Sequence, residues 1–203
     1  MPRQAANAAR PLPEEDTVRY LIDARGSTFT VKASSTGLLS AFGHDPKVAI
    51  RDFWGEADFD PADPSLERAR LLLHIRTDSL EVTEDVNEKD RAEIQRRMLE
   101  EVLESARYAE VFYDCSRVTG SGNGQRYWLA LNGELTLHGF SRPVPVDVRV
   151  IVNDTNLRAS GEFSVRLSDF GIAPVTAVGG AIRLKDEVKC TFDIVARKQA
   201  QSQ

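Results

Sequence analysis

The stretch GELTLHGFSRPVPVDV, residues 133–148, contains two strand patterns and the turn between them. Apolar side chains alternate with polar ones on both sides of its centre, which is the period of a strand with one buried face. The dipeptide His138-Gly139 separates the two halves and is typical of a tight hairpin turn. This stretch therefore predicts an antiparallel β-hairpin, whose second strand continues to Val150.

The same alternation recurs over most of the chain and predicts an all-β protein. Turns are predicted at Arg25-Gly26, at Asp45-Pro46, at PADP in residues 61–64 and at GSGNG in residues 120–124. Between them we count about eight strands. The alternating segments are residues 18–22, 29–31, 48–50, 53–59, 71–77, 111–115, 127–137, 144–150, 163–167 and 188–196.

Two architectures can close such a set of strands. An eight-stranded antiparallel, up-and-down barrel of the lipocalin type leaves no exposed edge and has room for one small ligand. A two-sheet sandwich packs its inner faces on each other and leaves no cavity. The barrel is the simpler closure, but alternation alone fits both.

One segment, residues 84–106, changes to a helical period. Ile94, Met98 and Val102 belong to an apolar stripe, with Glu, Gln and Arg at the other positions. Asn87 is the predicted N-cap. We expect one amphipathic helix inserted between strands, packed over a mouth or flank of the barrel; a movable lid is the alternative.

Composition and charge narrow the class of protein. The chain has 203 residues, of which 41% are hydrophobic and 28% charged, as expected for one globular domain. Its net charge of −5 disfavours nucleic-acid binding. No secretory or membrane-spanning apolar run is present, so we expect a cytoplasmic protein without membrane insertion. We expect a disordered tail over residues 1–16, one domain over 17–198 and a short tail over 199–203.

Several stretches together resemble the YceI-like family of lipocalin-like polyisoprenoid-binding proteins. The most specific are residues 133–148 and GEFSVRLSDFGI, residues 161–172; YLID at 20–23, WGEADFD at 54–60 and IRTDSLEV at 75–82 add to them. The resemblance covers residues 18–198 and implies an extended barrel with an inserted helix and an elongated hydrophobic tunnel. Characterised members of the family bind isoprenoid quinones or other long-chain amphiphiles.

The chain also departs from many members of the family. It lacks their signal peptide and the His-Leu pair of their helical insertion, and it carries Gly43-His44-Asp45 after the second strand pattern. These features are similar to those of a cytoplasmic subset of the family.

Residues whose position in the alternation points their side chains into the barrel are the candidate ligand contacts. The hydroxyls of Tyr113 and Tyr127 are candidates for binding a head group or a buried water, and His44 is a weaker candidate contact. The predicted ligand-binding residues are Phe29, Val31, Leu73, Ile75, Val111, Tyr113, Tyr127, Leu129, Leu131, Val146, Val148, Phe163, Val165, Phe192, Ile194 and His44.

No catalytic or metal motif is present. His44-Asp45 could form an acid–base pair, but Asp-Pro favours a structural turn there. His74 has an outward phase and His138 lies in a predicted turn, so we expect no metal site. Cys115 and Cys190 follow the apolar phase, and we interpret them as reduced core thiols; thiols that line the ligand site are the alternative.

Three functions remain open at this stage. The first is non-enzymatic binding of a long-chain amphiphile, such as an isoprenoid, a quinone or a fatty-acid-like lipid, for storage, transport or sensing; it requires no cofactor. The second is an enzyme that acts on an amphiphile, with His44 as base. The third is a filled barrel that acts through its surface as an interaction protein. The chain is also compatible with a homodimer.

Overall fold

The alternating segments form antiparallel strands in a computed structural model that describes residues 18–36, 47–83, 87–177 and 182–200. A helix, α1, spans Glu88–Arg97 and continues as a π-helical turn over Met98–Val102, and 3₁₀ turns lie at Thr77–Ser79 and Leu167–Phe170. The strands are β1 Arg19–Thr36, β2 Lys47–Ile50, β3 Phe53–Asp58, β4 Arg70–Arg76, β5 Leu80–Val82, β6 Glu110–Cys115, β7 Val118–Gly122, β8 Arg126–Leu137, β9 Phe140–Val152, β10 Asn156–Arg166, β11 Thr176–Ala177 and β12 Ile182–Lys198.

Eight of the strands close into a barrel in the order β1-β12-β10-β9-β8-β6-β4-β3, with β3 returning to β1. Closure depends on β1, which pairs with β12 along its length and with β3 at its beginning. The barrel prediction is confirmed and the sandwich alternative is wrong. The short strands β2, β5, β7 and β11 extend the sheet beyond this ring.

The hairpin predicted from residues 133–148 is confirmed. β8 and β9 pair up to Leu137 and Phe140, which leaves His138 and Gly139 as a two-residue turn. Both turn residues have positive φ, 52° and 79°, as a type I′ turn requires. Glycine takes this conformation without steric cost. His138 is held in it by the burial of its own imidazole ring.

The turn predicted at Arg25-Gly26 is wrong, because β1 continues through it. The register with β12 shifts between Asp23 and Thr28, so the extra residues form a bulge within one strand. The Asp23 carboxylate accepts hydrogen bonds from the backbone N–H groups of Arg25 (3.1 Å) and Gly26 (3.3 Å). The Asx turn is therefore confined to the bulge. The strand pairs with β12 on both sides of it, so β1 continues as one strand.

The turn predicted over residues 120–124 is shorter than expected. β7 includes Gly120 and Gly122, and the reversal begins at Asn123, whose N–H bonds to the Arg126 carbonyl (3.0 Å). A Cβ at Gly120 would overlap the carbonyl oxygen of Trp128, so this glycine permits close pairing of β7 with β8. The predicted turn at Asp45-Pro46 lies outside the described residues.

The helix begins as predicted, because the Asn87 side chain accepts a hydrogen bond from the Asp90 N–H (2.9 Å). It ends earlier than the predicted residue 106, and residues 84–86 lie outside the described part. The Gln95 amide binds the β5 backbone on both sides, to Leu80 O (2.6 Å) and Val82 N (2.8 Å). Arg97 donates to Thr176 O of β11 (3.1 Å), so α1 joins β5 to β11 at one end of the barrel, here called the helix end.

The inward strand phase is confirmed in the second half of the chain. Val146, Val148, Val165 and Ile194 belong to the buried core, with Phe163 and Phe192 packed against it. Opposite the helix end, residues 59–69 connect β3 to β4 and insert Phe59, Leu66 and Ala69 into the same core.

Candidate functional site

An apolar cavity of about 140 Å³ lies inside the barrel. Every strand of the eight-stranded ring contributes to its wall. Most of the side chains are aliphatic or phenylalanine. The wall consists of Ile22, Phe29, Ala57, Asp58, Phe59, Ala69, Arg70, Leu71, Leu73, Ile75, Val111, Tyr113, Val118, Leu129, Leu131, Leu135, Val146, Val148, Val150, Leu157, Ala159, Phe163, Phe192, Ile194 and Ala196.

Most of the residues predicted to contact a ligand lie on this wall. The structure brings together Phe29, Leu73, Ile75, Val111, Tyr113, Leu129, Leu131, Val146, Val148, Phe163, Phe192 and Ile194. Val31, Tyr127 and Val165 are not among the wall residues, and His44 lies outside the described part of the chain.

The three displaced predictions have the correct face but the wrong depth. Val31 pairs with Cys190, and Val165 pairs with Val188; each lies nearer the helix end than the wall residues of its own strand. Tyr127 belongs to the opposite end, where its hydroxyl donates to Pro61 O (2.9 Å) and its ring packs edge-on against Phe59. Strand phase shows which way a side chain points, but not how far along the barrel it lies.

Sequence reasoning missed eleven apolar wall residues, although alternation already gave most of them an inward phase. Four are alanines, at positions 57, 69, 159 and 196, whose short side chains leave space at the wall. The missed residues are Ile22, Ala57, Phe59, Ala69, Leu71, Val118, Leu135, Val150, Leu157, Ala159 and Ala196.

The polar side chains on the wall are engaged elsewhere. The Asp58 carboxylate accepts from Arg19 Nε (2.8 Å). Arg70 Nη1 donates to backbone carbonyls, including Ala69 O (2.8 Å) and Ser116 O (2.9 Å). The described wall therefore offers an apolar surface to a ligand.

Tyr113 is buried deep in the barrel wall. Its hydroxyl lies 2.9 Å from Val144 O and 3.2 Å from Leu131 O, so its proton already has backbone acceptors. Burial raises the pKa of Tyr113 above its usual value, and the phenol stays neutral. A Cβ at Gly133 would lie 2.6 Å from the Tyr113 Cζ atom, so the ring depends on this glycine for its space.

The two cysteines are free, buried thiols, as predicted, and neither lines the cavity. Burial raises the pKa of Cys190 to about 12 and also raises the pKa of Cys115. Both groups are therefore protonated at neutral pH, which removes the thiolate that nucleophilic chemistry requires.

The described histidines lie apart from the cavity wall. His74 is on the outer face, stacked on Trp54 with ring centroids 5.1 Å apart. His138 Nε2 lies 3.1 Å from Glu104 Oε1. Among residues 18–36, 47–83, 87–177 and 182–200, no group of three or more His, Cys, Asp or Glu side chains is placed to hold a metal ion. Within the same ranges, no helix has the length and hydropathy needed to cross a bilayer.

Solved structures with the same fold come from several bacteria. BcnA of Burkholderia cenocepacia superposes with a TM-score of 0.65 at 17% identity, over 86% of this chain and 98% of its own. A polyisoprenoid binding domain from Saccharophagus degradans, implicated in plant cell wall breakdown, superposes with a TM-score of 0.63 at 12% identity, over 91% of this chain and 100% of its own. At these identities the likeness shows the shared fold alone.

Sequence comparison identifies relatives and a family. A UPF0312 protein of Shewanella oneidensis is 26% identical over 161 residues, which cover 75% of this chain and 76% of that protein. A UPF0312 protein of Vibrio cholerae is 26% identical over 159 residues, or 75% and 77% of the two chains. The model of the YceI-like domain matches residues 20–196. With nearly all of its barrel matched, this chain belongs to the YceI-like family.

Proposed function

We propose that this protein is a non-enzymatic binding module that encloses the apolar part of an amphiphile, of the isoprenoid, quinone or fatty-acid class, inside its barrel. The apolar cavity carries this proposal. A filled barrel acting only through its surface would need no such space. The description of the Saccharophagus degradans relative as a polyisoprenoid binding domain supports the same class of ligand.

The energetics of such a site are those of hydrocarbon transfer. Each methylene that leaves water contributes about 0.8 kcal/mol, and affinity therefore follows the apolar volume that the cavity accepts. A head group would gain little inside, because the polar side chains of the described wall already have partners. We place the head group at the barrel surface, with the part of the hydrocarbon that the cavity accepts inside.

Binding, rather than catalysis, also agrees with the chemistry of the wall. A hydrolytic or redox enzyme for amphiphiles places an acid–base or nucleophilic side chain next to the bound chain. The described wall offers instead a neutral phenol at Tyr113 and a carboxylate at Asp58 that is paired with Arg19. The role in storage, transport or sensing would follow from the ligand, and we propose that no cofactor is required.

Native mass spectrometry of gently purified protein tests the proposal. We expect an adduct of lipid mass that disappears after extraction with organic solvent and returns when a quinone or fatty acid is added. Bare protein before extraction, together with no uptake of any added amphiphile, would refute it. Turnover of the added amphiphile would favour the enzymatic alternative instead.

A further inference from the structure

Three phenylalanines form a closed triangle inside the barrel. The ring centroids of Phe29 and Phe192 are 6.0 Å apart, those of Phe163 and Phe192 6.2 Å, and those of Phe29 and Phe163 6.4 Å. Separations and tilts of this kind are favourable for aromatic pairs. Phe53 supports the triangle from outside the cavity, with its centroid 6.1 Å from that of Phe29.

The phenylalanine triangle lies at the boundary of the cavity. On β1, β10 and β12, its members are the wall residues nearest the helix end. The next inward-facing residues toward the helix end are Val165 on β10 and Cys190 on β12. Both are buried, but neither lines the cavity. On these three strands, the rings therefore separate the cavity from the helix end of the barrel.

A glycine beside the triangle, the register partner of Phe192, permits this arrangement. A Cβ at Gly161 would lie 2.8 Å from Phe192 Cζ and 2.5 Å from the Asp147 carbonyl oxygen. Any larger residue there would force the Phe192 ring or the strand to shift. The Phe192 ring therefore occupies space that this glycine leaves at the end of the cavity.

The volume of the cavity is small for a long lipid. At about 140 Å³ it is close to the engineered cavity of about 150 Å³ that holds one benzene molecule. Resting on the proposed function, we infer that the phenylalanine triangle is a chain-length stop. The site takes a short apolar group, on the order of six to ten carbon atoms, and excludes the remainder of a longer chain.

Straight-chain alcohols from hexanol to tetradecanol test this inference by calorimetry on the full chain. In the parent protein, we expect affinity to rise about fourfold per methylene up to decanol and to stop rising beyond it. In Phe163→Ala the rise should continue to tetradecanol, which should bind at least tenfold more tightly than it binds the parent.

Phe170→Ala is the control, because Phe170 is a phenylalanine of the same core that is more deeply buried than Phe163 but does not line the cavity. It should keep the parent length dependence. If Phe163→Ala does not fold, Phe163→Leu provides the same test with a smaller change in volume.

The outcomes separate the two proposals. The chain-length stop would be overturned if the affinity of the parent protein kept rising through tetradecanol. It would also be overturned if Phe170→Ala extended the rise in affinity as far as Phe163→Ala does. Either outcome would leave the binding function standing. Absence of binding by every alcohol to every folded variant would overturn the binding function and the stop together.

Discussion

At the residue scale, Gly161 shows how a missing side chain shapes the cavity. Its ideal Cβ position lies 2.5 Å from the Asp147 carbonyl oxygen and 2.8 Å from Phe192 Cζ. Both distances are shorter than ordinary contact, so a methyl group must displace backbone or ring. A strand glycine is otherwise unfavourable, and its presence here reflects this close approach.

Gly161→Ala should lower the free energy of unfolding by about 1 to 3 kcal/mol, the usual cost of overpacking. Gly26→Ala is the control, because the nearest atom to a Cβ at Gly26 lies 3.4 Å away. Urea unfolding curves measure both. Equal losses of stability in the two variants would show that the clash at Gly161 does not set the cost.

Cys190 makes a residue-scale prediction about pH. Burial raises the pKa of this thiol to about 12, from a usual value of 9.0, so the folded state favours the neutral form. Its contribution to stability is complete below pH 9 and is lost as pH rises toward 12. Buried Tyr113 and Cys115 act in the same direction, since their pKa values are also raised.

The parent protein should therefore lose stability between pH 9 and pH 11, with each such group adding up to a tenfold shift in the folding equilibrium per pH unit. Cys190→Ala should be less stable at pH 7 because it leaves a small void, yet it should lose less stability on going to pH 11. Chemical unfolding at a series of pH values measures this difference. Parallel pH profiles for parent and variant would contradict the buried-thiol assignment.

At the scale of elements, helix α1 is attached to the barrel by side chains more than by buried apolar surface. None of its residues is fully buried, and its stripe is half-exposed. Gln95 instead continues the hydrogen bonding of β5, with one bond to Leu80 O and one to Val82 N. The helix thus covers the outer edge of β5, which has β2 on its other side.

Gln95→Ala should remove both bonds and speed amide hydrogen exchange at Val82 by roughly fivefold, the effect of a net loss near 1 kcal/mol. Lys89→Ala, at an exposed position of the same helix, should leave that exchange unchanged. Hydrogen exchange followed by NMR reads out the single amide. Unchanged exchange in Gln95→Ala would mean that the helix does not protect this edge.

At the scale of the whole molecule, the barrel is closed by its longest strands and still hollow. β1 and β12 cross the full length of the wall, whereas the inner layer contains alanines at positions 57, 159 and 196. Interiors of proteins are usually packed to crystal density. An apolar space of about 140 Å³ therefore departs from ordinary packing and agrees with a ligand-binding role.

Val148→Phe distinguishes usable space from a packed core. The ring should enter the cavity, leave the melting temperature within a few degrees of the parent and abolish the lipid adduct in native mass spectrometry. Val152→Phe is the control, because Val152 is buried on the same face of β9 but away from the cavity. There the extra atoms should cost about 1 to 3 kcal/mol. A comparable loss of stability in Val148→Phe would show that the cavity does not accept a ring.

Local periodicity and turn chemistry alone determined the strand faces, the His138-Gly139 hairpin, the Asn87 cap and the buried thiols. These features depend on neighbours in sequence, and the alternation of side chains across a strand is purely local. The eight-stranded barrel with one inserted helix followed from the resemblance and from the count of strands, since closure removes exposed edges.

Only the tertiary structure decided the features that depend on distant partners. β12 turned the predicted reversal at Arg25 into a bulge, and the backbone carbonyls of Val144 and Pro61 engaged the hydroxyls of Tyr113 and Tyr127. Depth along the barrel depends on strand tilt and register, which set each residue against strands far away in sequence. For that reason Val148 and Val165 share one predicted face, yet the first lines the cavity and the second lies beyond the phenylalanine triangle.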